Sequence, residues 1–542
     1  MSSGRRLRVT CLLVLILPNA SGVRTDYDGI ETISSSKRTP LDDYVGTLSP
    51  HFAWFDTNVT VSPLLIRATA HILNVTSQQW LTEHEAVGPN GALWTHQIAV
   101  IVPHEIKHPG TAVSYLTGGC NEGPPKPPAD DDEELLLLSD IAAKTGIIGM
   151  VVYQLPNCHI VYPSDPSQKR RSEDSMIAWA WRQYLDDPQH DARWLPRLPM
   201  VKAAFSCMRA AEQWAHQKGL AEIHGWSVGG ASKRGWTTWM VGAAAPVCAW
   251  CPKVVAITPL VPIVPYLNHS VHLQHRALGG FTFAFRDYLD AGVLHRFDTP
   301  EFAQLLSVVD PSNYLDRLAL IPKLAVVSSD DEFMQLDWTE HGWLQIPGET
   351  KMLVVPNSEH SLATGIPELI KTMGAFIGSV AASQTSADRP TFTYHKGTNG
   401  SLSVNLTSGV EPEHVYLRHA QTLSNARRDF RWVRLANETT SPCKLPGIKL
   451  KHDVEGGGNC LQPMLWHKVK LSKGADGLYT ATPPPPTKDG HYTGYYIEMI
   501  YPDQGTGKLQ ISTPGYAWPD ALPYGDCALK RGVPNACTGK LL

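Results

Sequence analysis

Between about residue 95 and residue 380, apolar runs of strand length alternate with helical patterns, and that alternation leaves the chain few folds to adopt. Strand-like runs occupy 98–102, 112–116, 146–154, 221–230, 254–261, 323–329 and 351–355. Helical patterns separate most of them, at 130–145, 174–185, 199–217, 233–245 and 361–381. The alternation predicts a mostly parallel sheet covered by helices on both faces. From about residue 390 the pattern changes to short alternating strands with Gly, Pro and Asn turns, as in YTGYYIEMIY (492–501). This part reads as an immunoglobulin-like β-sandwich over 390–520. A small, polar linker (381–390) joins it to an α/β domain over 23–383, and a tail (521–542) follows. A chain of 542 residues is too long for one core, so more than one domain is expected.

The N-terminus predicts the compartment. Arg5, Arg6 and Arg8 precede an apolar run (9–17), and Ala20 and Gly22 form a small-residue exit. That is the pattern of a secretory signal peptide, here 1–22. The run is too short to span a bilayer and no later segment is long and apolar enough, so no membrane span is expected. Sequons at Asn58, Asn74, Asn268, Asn399, Asn405 and Asn437 fit a glycosylated, secreted protein. Nine of the ten cysteines lie beyond the leader, so disulfides are expected. Neighbouring pairs are Cys443–Cys460 and Cys527–Cys537, with Cys120–Cys158 a further candidate. An odd count leaves at least one thiol over, for which Cys207 in a helical pattern is the choice. Net charge is −4 with no basic stripe, which gives no nucleic-acid footprint.

HGWSVGGASKRGW (224–236) holds two serines in glycine patterns that suit a nucleophile. A nucleophile elbow is a sharp strand-to-helix turn with small neighbours, whose helix N-terminus faces the developing oxyanion. Ser227 has the tidier G-x-S-x-G, but two glycines would open its helix. Ser232 ends the strand pattern 221–230, opens the helix 233–245, and is flanked by Gly230 and Gly235. Context selects Ser232. Lys233 and Arg234 oppose the helix dipole, so they either pair with acids or meet an oxyanion or an anionic substrate group. An acid follows one late strand, in Asp330-Asp331-Glu332, and His360 follows the next. The order Ser232, Asp331, His360 is that of an α/β-hydrolase.

RTPLDDYV (38–45), LTGGCN (116–121), QLPN (154–157), RLPMVKAA (197–204), GGASKRGWTTW (229–239), DPSNYLDRL (310–318) and PNSEHSL (356–362) resemble, in order, the PhoPQ-activated pathogenicity-related family. RDFRW (428–432) and YYIEM (495–499) match its β-rich C-terminal part. The family includes an autocrine proliferation repressor of amoebae. The resemblance implies an α/β-hydrolase domain followed by a β-sandwich, with Ser232, Asp331 and His360 in the family's motifs. Here Asp330 stands where the family has glycine, so Asp330 and Glu332 compete with Asp331 for the acid role. Gly118, Gly119, Asn121 and Gln154 become candidate oxyanion donors. A basic residue two after the serine is also similar to glucuronoyl esterases, which favours a functional Arg234.

Other conspicuous residues read as structural. Acids at 130–134 complement the dipole of the helix that follows. Cys248-x-x-Cys251 follows a helix end, where no dipole lowers a thiol pKa, so it is no redox motif. His269, His272 and His275 share a helix face without a carboxylate to complete a metal set, and read as surface or lid histidines. No metal or cofactor is expected. Two classes follow: a secreted serine hydrolase acting on an ester or amide of a small molecule or peptide, or a secreted signalling protein that meets a cell-surface receptor on a hydrolase scaffold.

Overall fold

The computed structural model describes residues 38–343, 346–435, 459–462, 464–527 and 541–542. The leader (1–22), Asn437, Cys443 and Cys537 lie outside these residues. Nine strands form the main sheet: β1 (Ala53–Val61), β2 (Ala68–Gln79), β3 (Leu93–Pro103), β4 (Thr111–Leu116), β5 (Ile148–Val152), β6 (Gly225–Ala231), β7 (Val254–Leu260), β8 (Lys323–Ser328) and β9 (Thr350–Val355). Their order is β1-β2-β3-β5-β4-β6-β7-β8-β9. All neighbours from β5 to β9 run parallel, while β1, β2 and β3 run antiparallel to theirs. This is the mostly parallel sheet expected from the alternation, in the α/β-hydrolase arrangement that the family resemblance implies. The strand order turns back between β4 and β6, which places the switch-point crevice outside the carboxyl ends of these two strands.

Side chains alternate across the sheet, as a period of two demands. Met150 and Val152 on β5 join one core layer with Trp226 and Val228 of β6. Val151 joins the other, with Val113, Leu324 and Leu353. The first layer packs on α3 (Glu173–Asp186), α4 (Arg197–Gln217) and α5 (Lys233–Ala244), and the second on α2 (Glu133–Thr145) and the helix Ile366–Ala381. These follow α1 (Pro40–Val45) in the chain. The acids at 130–134 start α2 as expected: Asp132 accepts from Leu135 N at 2.9 Å, and Glu133 and Glu134 occupy the first turn. Between β7 and β8 a helical insertion beginning with α6 (Leu267–Leu278) rises over the sheet's carboxyl end.

The C-terminal part is antiparallel: β10 (Phe392–Lys396), β11 (Leu402–Leu406), β12 (His414–Gln421), β13 (Val433–Leu435), β14 (Asn459–Leu461), β15 (His467–Lys470), β16 (Tyr479–Ala481), β17 (Thr493–Ile500), β18 (Gln510–Ser512) and β19 (Tyr516–Trp518). One sheet is β10-β11-β16, and the larger is β15-β12-β17-β18 with β19 also on β17. Leu402, Val404 and Tyr479 of the first share a core with Leu417, Tyr495 and Ile497 of the second. The same core includes Met373 and Phe376 of the helix Ile366–Ala381, so apolar packing is continuous from the main sheet into the β-rich part. Residues between them are held: Arg389 pairs with Glu349, and Lys351 Nζ donates to Pro390 O at 2.7 Å. No helix among the described residues is long and apolar enough to cross a membrane.

Candidate active site

Ser232 sits between β6 and α5 with φ 57° and ψ −123°, in the left-handed region that side chains rarely occupy. Crowding explains the glycines on either side. A Cβ on Gly235 would meet Leu260 O at 2.4 Å, and one on Gly230 would meet the Arg234 Cβ at 2.9 Å. Ser232 N donates to that same Leu260 O at 2.8 Å, which fixes the turn to β7. Ser227 lies inside β6, buried, and its Oγ has no hydrogen-bond partner among the described residues.

His360 Nε2 lies 2.8 Å from Ser232 Oγ. Its Nδ1 lies 2.9 Å and 3.0 Å from the two carboxylate oxygens of Asp331. With a proton on Nδ1 donated to Asp331, Nε2 is left to accept the serine hydroxyl. The Phe333 ring lies 4.5 Å, centroid to centroid, from the imidazole. Asp331 also accepts from the backbone N–H groups of Phe333 and Met334, so its carboxylate is fixed from two sides. Its neighbours point elsewhere. Asp330 accepts from Ser329 Oγ at 2.6 Å, Ser358 N at 3.2 Å and Trp466 Nε1 at 2.8 Å. Glu332 accepts from His360 N at 3.0 Å. Burial first, then the charges of Asp331 and Glu359, push the Glu332 carboxyl well up. Of the three adjacent acids, Asp331 alone meets the imidazole ring, and the other two hold the histidine loop.

Lys233 and Arg234 are both paired. Arg234 takes Glu173 with both terminal nitrogens and donates through Nε to Leu155 O. Lys233 Nζ lies 2.9 Å from Glu173 and 3.1 Å from Asp174. Burial alone would raise the Glu173 carboxyl, but these two cations hold it well below the usual carboxylate range. Two acids at the start of α3 thus offset the cations that oppose the dipole of α5. Gly118 packs on this pair, since a Cβ there would meet the Arg234 Nη2 at 2.6 Å. Asn121 and Gln154, expected as oxyanion donors, are turned to β3 instead. Asn121 Nδ2 donates to Thr95 O at 2.9 Å and its N–H to Cys158 O. Gln154 Oε1 accepts from Gln97 N at 2.7 Å and its N–H donates to Gly118 O. Both side chains secure the start of β3, three strands away from β6.

Residues 41–431 match the family model described as PhoPQ-activated pathogenicity-related protein. The chain belongs to this family. The matched span of this PhoPQ-related chain contains the elbow, Asp331 and His360. The whole chain is 30% identical over 517 residues to autocrine proliferation repressor protein A of Dictyostelium discoideum, an alignment covering 92% of this chain and 94% of that one. Similar solved structures include an acetyl xylan esterase from Paenibacillus sp. R4 (12% identical, TM-score 0.38, covering 62% of this chain and 92% of that one). Another is acetyl xylan esterase 1 from Thermoanaerobacterium sp. (15% identical, TM-score 0.38, 62% and 91%).

Beside Ser232 and His360 a pocket opens, walled by Trp181, Trp236, Phe285, Tyr288, Phe297 and Phe333. Sequence reasoning missed these walls, whose signal was the aromatic density of 281–288 in the insertion after β7. It also missed Glu173 and Asp174 as partners of Lys233 and Arg234, and Arg197 in the pocket lining. Cys120 and Cys158 are joined, tying the loop after β4 to the loop after β5. Cys248 and Cys251 form a second disulfide, in keeping with a structural role, and Cys207 is free and buried. Cys460 and Cys527 are also disulfide-bonded. His272 bridges Asp298 at 2.8 Å and Asp526 at 2.6 Å. Although Cys527 lies beside them, its sulfur is committed to a disulfide, so the cluster offers no thiolate to a metal.

Proposed function

We propose that the protein is a secreted serine hydrolase that cleaves an ester or amide through Ser232, His360 and Asp331. The observation that carries this reading is the unbroken hydrogen-bonded line from Ser232 Oγ through both ring nitrogens of His360 to Asp331. Ser232 Oγ attacks the scissile carbonyl while His360 Nε2 takes its proton. The imidazolium is stabilised by Asp331 and then protonates the leaving group, giving an acyl-enzyme. Water, deprotonated by the same imidazole, attacks the acyl group and frees Ser232. The Lys233 N–H, at the N-terminus of α5, and the Gly118 and Gly119 amides after β4 supply the oxyanion donors, each worth about 3 kcal/mol in such sites. Exposed Asn58, Asn399 and Asn405 suit glycan acceptors, in keeping with a secreted chain.

Hydrolysis of 4-nitrophenyl acetate tests the reading. Ser232→Ala is expected to lower kcat/KM at least about 10³-fold, and Asp331→Asn by a comparable factor through the wrong imidazole tautomer. Equal rates in wild type and Ser232→Ala contradict it. A second reading, a secreted repressor of proliferation, is favoured by the name of the Dictyostelium relative. It predicts that Ser232→Ala protein retains full effect on cell growth, whereas the enzymatic reading predicts loss of any such effect.

A further inference from the structure

Arg197, at the first position of α4, is 2% exposed and lines the pocket that holds Ser232. One nitrogen makes all its hydrogen bonds: Nη1 donates to Lys233 O, to Thr237 Oγ1 at 3.2 Å and to Met200 Sδ at 3.6 Å. The guanidinium carbon lies 4.5 Å from the Trp236 ring centroid. Its other edge is free. Nε is buried without a partner, and among the described residues no hydrogen bond or ion pair reaches Nη2. Two other buried arginines use that edge on an acid. Arg389 and Arg431 each give Nε and Nη2 to one carboxylate, of Glu349 and Asp429 respectively. The partly buried Arg171 gives Nε and Nη2 to Asp165, whereas Arg317 meets Asp42 through Nη1 and Nη2, and Arg428 meets Asp337 through Nη2 alone.

The nearest acid in the pocket, Asp174, is held by Lys233 Nζ and by the Tyr288 hydroxyl at 3.1 Å. Burial pushes the Arg197 guanidinium down to about 10, and it remains a cation at neutral pH. A buried charge without a counterion costs several kcal/mol. A free side-on fork is the geometry that grips a carboxylate with two parallel hydrogen bonds. Lys233 and Arg234, already paired with acids, do not offer such an edge.

We propose that Arg197 receives a carboxylate of the substrate, so that the acyl group transferred to Ser232 carries a second, free carboxylate. This rests on the serine-hydrolase reading. The aromatic pocket that Arg197 shares with Ser232 suits the half of the substrate that stays on the enzyme, whereas the alcohol must depart. The substrate class is therefore the monoester of a dicarboxylic acid, with an apolar spacer against the aromatic walls and its far carboxylate on the Nε–Nη2 edge.

The test compares monomethyl succinate, glutarate and adipate with methyl butyrate, pentanoate and hexanoate, followed by proton release. At least one acid ester is expected to exceed its neutral partner about tenfold or more in kcat/KM, the effect of one charge-assisted pair. Arg197→Met should bring that ratio to one or below, chiefly through KM, and Arg197→Lys should fall between. Ratios of one or less for every wild-type pair overturn the inference, as does Arg197→Met slowing both members of a pair equally. If Arg197→Met fails to fold, the wild-type ratios decide alone. Labelling by an uncharged fluorophosphonate separates the two claims. Labelled wild type without acid-ester preference overturns the role of Arg197 and leaves the hydrolase reading. Neither labelling nor hydrolysis of any ester removes both.

Discussion

Trp466 Nε1 donates to Asp330 Oδ1 at 2.8 Å, and through this bond the β-rich part reaches the residue next to Asp331. Trp466 N also donates to Asn357 Oδ1 at 2.7 Å, three residues before His360. One tryptophan therefore holds both loops that meet Ser232. Trp466→Phe keeps an aromatic, though smaller, ring and removes the N–H, leaving a buried carboxylate oxygen short of a donor. A loss of about 1–3 kcal/mol in stability is expected, with kcat lowered more than KM because Trp466 positions the site without touching substrate. Denaturant melts and steady-state kinetics on one aryl ester check it. A fall in KM affinity alone contradicts it.

Asp330 links pH to stability. Burial pushes its carboxyl up to about 7, against the pull of hydrogen bonds from Ser329, Trp466 and Ser358. An unfolded aspartate titrates near 3.9. Between about pH 4 and pH 7 the unfolded chain releases this proton while the folded chain keeps it, so stability falls as pH rises. The fall amounts to as much as about 4 kcal/mol. Other buried carboxyls, such as Glu332, shift the same way. The difference between wild type and Asp330→Asn isolates one share. The variant is expected to gain on wild type from pH 4 to pH 7 in denaturant melts, whereas a constant difference contradicts the assignment.

Gly235 has a steric task. A Cβ there would press on Leu260 O, the acceptor for Ser232 N–H. Gly235→Ala is expected to cost at least about 2 kcal/mol and to lower esterase activity by displacing Ser232. A thermal melt and an ester assay check both, and an unchanged midpoint contradicts the close packing.

The alternation that predicts the main sheet was legible because β5, β6 and β8 are buried on both faces and read as continuous apolar runs. Strands β1 and β2 escaped that reading. Their residues include His71, Asn74, Thr76 and Gln78, which look like loop chemistry until a neighbouring strand and α4 cover them. The order of Ser232, Asp331 and His360 was readable from small residues and strand ends. Which of three adjacent acids meets the imidazole was not, because the choice depends on Trp466, more than a hundred residues away. Likewise Arg234 stood between an acid partner and a substrate role until the fold placed Glu173 against it. The roof after β7 is built of short helices, from Leu267–Leu278 to Leu315–Leu318, too short to carry a clear period.

The central claim is that Ser232, not Ser227, is the nucleophile. Incubation with an uncharged fluorophosphonate followed by peptide mass spectrometry tests it most directly. The expected result is one adduct, on Ser232, lost in Ser232→Ala and retained in Ser227→Ala. An adduct that survives Ser232→Ala and disappears in Ser227→Ala, or no adduct on the wild-type protein, contradicts it.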